Sequence, residues 1–413
     1  MRGQLIRKVW PYDPALHAAP RYRRACEYEA FVPELLTDLA ISLPGDVATL
    51  VSEAETAIAR LNNKYDPALV PLARLLLRTE SIASSKVEGM QVDARTLARA
   101  EVARDTRGRV GPDAAEVLAN IDAMQTAVEQ ASSSHAIASE DLTKIHRVLL
   151  QGSHNRAMAG HFRDKQNWIG GNDYNPCGAD FVPPPPEEVA ALIDDVCKFC
   201  NQEDLSPLVQ AAIAHAQFET IHPFEDGNGR AGRALVQILL RRRGLAPGFV
   251  PPISVALARD KDRYIRGLTF FREDRIAEWL GIFASATAQA ATLAFQYTHL
   301  VAELQDHWRM QLRESTSPRA DAVAWAIIDI LPAHPVVSVP VAVAATERTK
   351  PAVNDAIQDL VSAGVLKPVS ESKRNRSWES VGLLDLIVDL EAGTGPSPSG
   401  GSGVRIPFPA PDQ

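Results

Sequence analysis

The sequence predicts a mainly α-helical fold, a helical bundle that ends in a winged helix-turn-helix. Three observations carry that expectation. Apolar and alanine positions recur at three- and four-residue spacing through most of the 413 residues, the pattern of helices with one buried face. Start and stop residues punctuate those runs, such as Ser139-Glu140-Asp141-Leu142 before one and Pro223 after another. Near the C-terminal end, three short helical patterns precede two extended runs around a basic turn, the order of a winged helix.

Taken in order, Trp10-Pro11-Tyr12-Asp13-Pro14 reads as an extended start, and helices are expected from Pro33 and from Asp46. A helix over 71–87 is built on Leu72, Leu75, Leu76 and Ile82, with Gly89 as its terminator. Helices follow over 93–107, 112–130 and 139–150. Pro183 to Pro186 form a stiff polyproline connector into a helix over 187–201. Helices over 208–221 and 232–243 flank a break at His222-Pro223, because the residue before a proline is pushed out of the helical region. The last three helices are expected over 321–331, 340–346 and 350–363, the third with Val353, Ile357, Leu360 and Val361 inward. Val365-Leu366-Lys367-Pro368-Val369, a turn over 371–376 and Ser377-Trp378-Glu379 complete a hairpin. The Gly-, Ser- and Pro-rich stretch 393–413 reads as a disordered end.

A hydrophobic content of 46% is ample for two or three cored domains, and a net charge of −8 argues against a general nucleic-acid or anionic-membrane binder. No apolar run reaches the 18 residues of a membrane span and the first 14 residues hold no signal-peptide core, so the expected compartment is cytoplasmic, with no membrane partner. Four cysteines do not make a disulfide framework. Cys197-Lys198-Phe199-Cys200 falls inside a helical pattern with no second pair at ligand spacing, and reads as two core cysteines.

The chemistry concentrates in His222-Pro223-Phe224-Glu225-Asp226-Gly227-Asn228-Gly229-Arg230-Ala231-Gly232-Arg233. Gly227-Asn228-Gly229 lies at the start of a helix, whose N–H groups and dipole favour an anion, and the glycines let the backbone approach it. Asp226 is a hard oxygen ligand beside that cradle, suited to Mg²⁺ shared with phosphate oxygens. Arg230 and Arg233 share a helix face and carry forked donors for terminal phosphates. His222 is the nearby group that titrates near neutral pH and can take a proton from a hydroxyl. These are the parts of a phosphoryl or nucleotidyl transfer site.

This segment resembles the signature of the Fic domain family, HPFx(D/E)GN(G/K)RxxR, without a departure. The resemblance extends to His215-Ala216-Gln217-Phe218-Glu219-Thr220, to Tyr264, Gly267, Leu268, Arg272 and Trp279, and to Gly160-His161-Phe162-Arg163. Gln166, Asn167, Trp168, Ile169 and Gly170 look like the family's flap, a small β-hairpin that docks the target segment over a Fic-type helical bundle. About half of the chain is covered. The resemblance implies AMP transfer from ATP, with Mg²⁺, to a Ser, Thr or Tyr hydroxyl of a target protein. His222 is then the general base, Asp226 the metal ligand and Asn228 an α-phosphate contact. Gly227 and Gly229 form the anion hole, Arg230 binds the β-phosphate and Arg233 the γ-phosphate. The chain itself as target, and a homodimer, fit the same reading.

Upstream, Ser84-Ser85-Lys86-Val87-Glu88-Gly89 places Ser84 and Glu88 one turn apart at a helix C-terminus, where a glutamate opposes the helix dipole. The family's inhibitory motif, (S/T)xxxE(G/N), is similar, and implies that Glu88 pairs with Arg233 and blocks the γ-phosphate. In some relatives the same glutamate supports AMP removal, and the sequence leaves that open. The expected division is an N-terminal helical extension over 1–110 with its inhibitory helix at about 71–89, a catalytic domain over 111–304, a winged helix over 305–391 and a tail over 392–413. Lys350, Lys373, Arg374 and Arg376 are the candidate DNA phosphate contacts of the winged helix, which would make the chain a DNA-binding regulator that merely senses nucleotide. Over 319–391, however, 10 acidic residues face 7 Lys and Arg, which favours docking of protein or dimerisation.

Overall fold

The N-terminal strands β1 (Gly3–Trp10) and β2 (Cys26–Pro33) pair antiparallel, with Ile6 opposite Ala30 and Trp10 opposite Cys26. They are seen in a computed structural model that describes residues 2–63, 70–106, 108–131, 135–369 and 376–394. Sequence reading missed this sheet because its alternation is disguised. The half-buried face of β1 carries Ile6, Lys8 and Trp10, while Leu5 and Val9 face outward.

The helix expected from Pro33 is absent. The carboxylate of Asp195 accepts the backbone N–H of Leu36 at 2.6 Å and the Thr37 hydroxyl at 2.7 Å, and so captures donors that a helix would need. The next helices are α1 (Gly45–Asn62), α2 (Val70–Val87), α3 (Ala94–Asp105), α4 (Pro112–Ala131), α5 (Ser139–Leu149), α6 (Pro186–Cys200), α7 (Pro207–Ile221) and α8 (Asn228–Arg242). Each lies within a few residues of its expected place, except that α8 starts four residues earlier, at Asn228. They are followed by α9 (Ile253–Arg259), α10 (Lys261–Arg272) and the long α11 (Ile276–Thr316).

The C-terminal elements run α12 (Val323–Ile330), β3 (Val336–Ser338), α13 (Val339–Thr346), α14 (Lys350–Ser362), β4 (Leu366–Pro368), β5 (Ser377–Ser380) and α15 (Leu383–Glu391). The sheet order is β3-β5-β4, so the expected hairpin forms and gains a third strand that sequence reading did not foresee. The basic turn with Lys373 and Arg374, and most of the tail, lie outside the described residues.

The chain divides into two compact units, each assembled from three stretches. One holds residues 1–55, 122–245 and 260–285. Its centre is α7, whose residues from Leu208 to Ile221 are all buried. There Gly232 of α8 lets two helices meet closely, since a Cβ on it would stand 2.7 Å from Glu219 Oε1 and 3.0 Å from Phe218 Cδ1. Trp279 donates its indole N–H to the Ala212 carbonyl at 3.0 Å, which fixes the start of α11 on the same helix.

In this unit Cys26 and Cys177 form a disulfide that sequence reading missed, because 151 residues separate them and nothing local announces the pairing. Cys197 and Cys200 are free and buried in α6, as expected, and burial pushes the Cys197 thiol up to about 12.

The other unit holds residues 56–121, 246–259 and 286–413. Its core packs Trp308 of α11 with Ile327, Val353, Ile357, Leu360, Trp378 and Ile387, and the Trp308 indole donates to the Val381 carbonyl at 3.2 Å. On α2, buried Glu80 accepts from the Ser254 N–H at 2.8 Å and its hydroxyl at 2.6 Å. Asn120 donates to the Ser81 carbonyl at 2.7 Å and the Ser85 hydroxyl at 3.0 Å. Among the described residues no helix is long and apolar enough to cross a membrane.

Candidate active site

The site is a turn between two helices of the first unit. α7 ends at Ile221, and His222 caps it in the left-handed conformation, φ 51° and ψ 60°. That is a costly place for a non-glycine residue and it is held by tertiary bonds. The His222 carbonyl accepts from Arg163 Nε at 2.9 Å and from Asn167 Nδ2 at 3.1 Å. Arg163, buried, donates further to the carbonyls of Pro184 at 2.6 Å and Ile221 at 3.2 Å. Burial lowers its guanidinium to about 10. The imidazole of His222 is 21% exposed, with Nδ1 3.4 Å from the Glu219 carbonyl and 4.0 Å from its carboxylate.

Residues 224–228 then close on themselves. The Asn228 side chain accepts the Phe224 N–H at 2.8 Å and donates to the Phe224 carbonyl at 2.8 Å. Both polar atoms of that amide therefore serve the loop, although the sequence suggested an anion contact for it. Gly227 precedes α8 as its cap at φ 79°, where a Cβ would stand 2.9 Å from Leu149. Asn228 and Gly229 open the helix, so their N–H groups lie at its positive end.

The Asp226 carboxylate, 36% exposed, accepts from Asn155 Nδ2 at 3.0 Å and lies 3.4 Å from Arg230. Arg230 and Arg233 are each only 2% exposed on the first turns of α8. Asn155 escaped sequence reading, since an asparagine in a polar loop carries no periodic signal.

So did His146 of α5. Its Nε2 lies 2.9 Å from the Asp226 carbonyl, its Nδ1 is 3.0 Å from the Gly160 N–H, and its ring stacks on Phe224 with centroids 3.7 Å apart. Burial lowers it to about 4. His215, also buried, bonds the Tyr264 hydroxyl at 2.9 Å and is held down at about 3 by burial and by the charge of Arg233.

The residues expected to form a hairpin flap do so only through one bridge, Ile169 opposite Phe181. The Ile169 N–H donates to the Phe181 carbonyl at 2.8 Å, and Val182 accepts the Phe31 N–H at 2.9 Å, which joins the flap to β2. Gln166 donates to the Pro183 carbonyl at 2.9 Å, and Asn167 to those of His222 and Phe224. Trp168 packs edge-on against Trp10 at 5.6 Å, and Ile169 is exposed. At Gly170, φ is 75° and a Cβ would collide with the Asp180 carboxylate. The turn and flap segments thus come together.

Ser84 and Glu88 belong to the second unit. Ser84 is buried in α2, and Glu88 lies just past the helix end, its N–H donating to the Ser85 carbonyl at 3.2 Å, before Gly89 at φ 89°.

The chain matches the Fic/DOC family over residues 136–240 and the Fic/DOC family N-terminal region over 48–129. It is 27% identical over 250 residues to the protein adenylyltransferase Fic of Drosophila virilis, covering 55% of this chain and 48% of that one. It is 29% identical over 212 residues to the protein of the same name from Drosophila yakuba, covering 50% and 40%. The matched part thus spans about half or less of those relatives' length. A crystal structure of a Fic family protein from Desulfovibrio desulfuricans G20 superposes with a TM-score of 0.50 at 21% identity, covering 83% of this chain and 98% of that one.

Proposed function

Because the chain belongs to the Fic/DOC family, we propose that it is a protein adenylyltransferase, moving AMP from ATP to a Ser, Thr or Tyr hydroxyl of a protein. The observation that carries this reading is the turn from α7 to α8. A partly exposed imidazole, a carboxylate, a glycine-capped helix start and two buried arginines follow one another within twelve residues. His222 takes the proton of the target hydroxyl, whose oxygen attacks the α-phosphorus as the bond to pyrophosphate breaks. Gly227, Asn228 and Gly229 offer backbone N–H groups to the phosphates, and Arg230 and Arg233 neutralise the β- and γ-phosphates. The target segment docks along Gln166, Asn167, Trp168, Ile169 and Gly170 by main-chain pairing, supported by the exposed Ile169.

Among the described residues no three His, Cys, Asp or Glu converge on one point, so a metal held by protein alone does not fit. One half-exposed carboxylate beside a phosphate cradle does fit Mg²⁺, which keeps waters and shares phosphate oxygens. Asp226 would hold it, and when bound the ion neutralises phosphate charge.

Glu88 is proposed to pair with Arg233 and suppress productive ATP binding, a reading supported by the Ser84-to-Gly89 pattern at the end of α2. The C-terminal elements from α12 to β5 are read as a winged helix that docks protein or a second copy. Mass spectrometry after incubation with ATP and Mg²⁺ tests the whole. The Glu88→Gly protein should gain AMP about tenfold or more faster than wild type. Adding His222→Ala should remove that gain by about 10²–10⁴-fold. No AMP on any variant or lysate protein would sink the reading.

A further inference from the structure

His146 is not among the residues to which the signature draws attention, yet it is tied to the turn more closely than most of them. It is fully buried on α5, and its ring lies parallel to Phe224, 8° off. The two ring nitrogens have different jobs. The Gly160 N–H can only donate, so Nδ1 accepts it at 3.0 Å; the proton then sits on Nε2, which donates to the Asp226 carbonyl at 2.9 Å.

The second bond has a geometric consequence. In a trans peptide the C=O and the following N–H point in opposite directions. Drawing the Asp226 carbonyl toward α5 therefore turns the Gly227 N–H away from α5, as the last donor before the helix start. The first bond reaches a different segment. Gly160 leads through Phe162, whose ring is 5.4 Å from Phe224, to Arg163, which holds the His222 carbonyl. One imidazole thus fixes both the peptide at the turn and the segment that leads into the flap.

We propose that His146 is a positioning residue: through Nε2 it orients the Asp226–Gly227 peptide so that its N–H meets a nucleotide phosphate, and through Nδ1 it locks that loop to the Gly160–Arg163 segment. The phosphate part rests on the reading of the site as a nucleotide site.

Two substitutions separate the nitrogens. In His146→Gln an amide N–H can replace Nε2, while the acceptor for Gly160 is lost. In His146→Asn the amide oxygen can replace Nδ1, while the donor to Asp226 is lost. Hydrogen exchange on the full, ligand-free chain reads the positioning without any nucleotide. Asn should speed exchange over 224–229 by about tenfold and leave 160–163 within about threefold of wild type, and Gln should do the reverse. Calorimetric titration with ATP reads the consequence, and Asn should weaken binding about tenfold while Gln stays within about threefold. Equal loosening of both segments in both variants, or none in either, overturns the proposal, because a ring that only fills space has no reason to distinguish its nitrogens. If the exchange pattern holds but the wild type binds no ATP, the positioning stands and the nucleotide reading of the site falls.

Discussion

Arg230 and Arg233 at the turn of the first unit and Arg95 and Arg376 of the second meet opposite fates. In the turn of the first unit, Arg230 and Arg233 are 2% exposed, on a helix start whose own dipole is positive. In the second unit, Arg95 is about one-third exposed and bonds Glu379 and Asp385, and Arg376 is exposed above the Trp378 ring. Burying a guanidinium at the positive end of a helix costs free energy on two counts, desolvation and like charge. Arg230 offsets part of that cost with Asp226, 3.4 Å away. Arg95 and Arg376, by contrast, keep solvent around the guanidinium. Burial alone does not assign a role, since Arg78 of the second unit is 3% exposed beside Glu101; it is burial on a helix start, within the proposed nucleotide site, that fits Arg230 and Arg233 to a ligand.

The largest effect should therefore follow from truncating an arginine of the turn. Arg233→Ala should weaken ATP binding by about ten- to a hundredfold, the worth of a hydrogen-bonded charge, with the circular dichroism spectrum unchanged. If ATP affinity survives the loss, Arg233 serves the fold and not a ligand, and the contrast collapses.

The same difference in environment should be visible in acid. His215 in α7 is held neutral, its pKa lowered to about 3 by burial and by Arg233. The unfolded chain binds that proton near 6.5, so stability is full above 6.5, is lost as pH falls toward 3, and flattens below. Below about pH 6 the slope is about 1.4 kcal/mol per unit for this one group. In the second unit His334, lowered to about 4 by burial and by Arg74 and Arg78, acts in the same direction over a narrower window. Denaturant midpoints of wild type and His215→Gln between pH 7 and 4.5 should converge as the pH drops. Parallel curves would mean that His215 titrates normally and that its buried place costs nothing.

How much of this could be read from residues depends on how local the cause is. The turn on which the proposal rests was legible because its parts are consecutive: a histidine, a carboxylate, glycines and two arginines around a helix start within 222–233. The helices were legible because their buried faces repeat every turn. What escaped is non-local. Asp195 overrode the expected helix at Pro33 from 159 residues away. His146 grips the turn at Asp226 from 80 residues upstream, where it reads as one more polar residue on an amphipathic helix. Lys8 on the inward face of β1 broke the alternation that announces a strand. The units themselves weave, with residues 56–121 packed in one and 122–245 in the other, and a reading in consecutive blocks has no signal for that.

The smallest effect should come from the other end of the comparison. Arg95→Ala removes bonds to Glu379, whose side chain is 6% exposed, and to Asp385, which is 46% exposed at 2.6 Å. Asp385 stays open to water on its exposed side. Glu379 keeps Lys367, whose Nζ lies 3.0 Å away. A pair with that much solvent and a second cation in reserve should be worth under about 1 kcal/mol, read as a small shift of the urea midpoint with ATP affinity untouched. A loss of about 3 kcal/mol or more would place Glu379 among charges stranded by removal of a partner. Arg95 would then join Arg78, 3% exposed beside Glu101, as an arginine that serves the fold of the second unit.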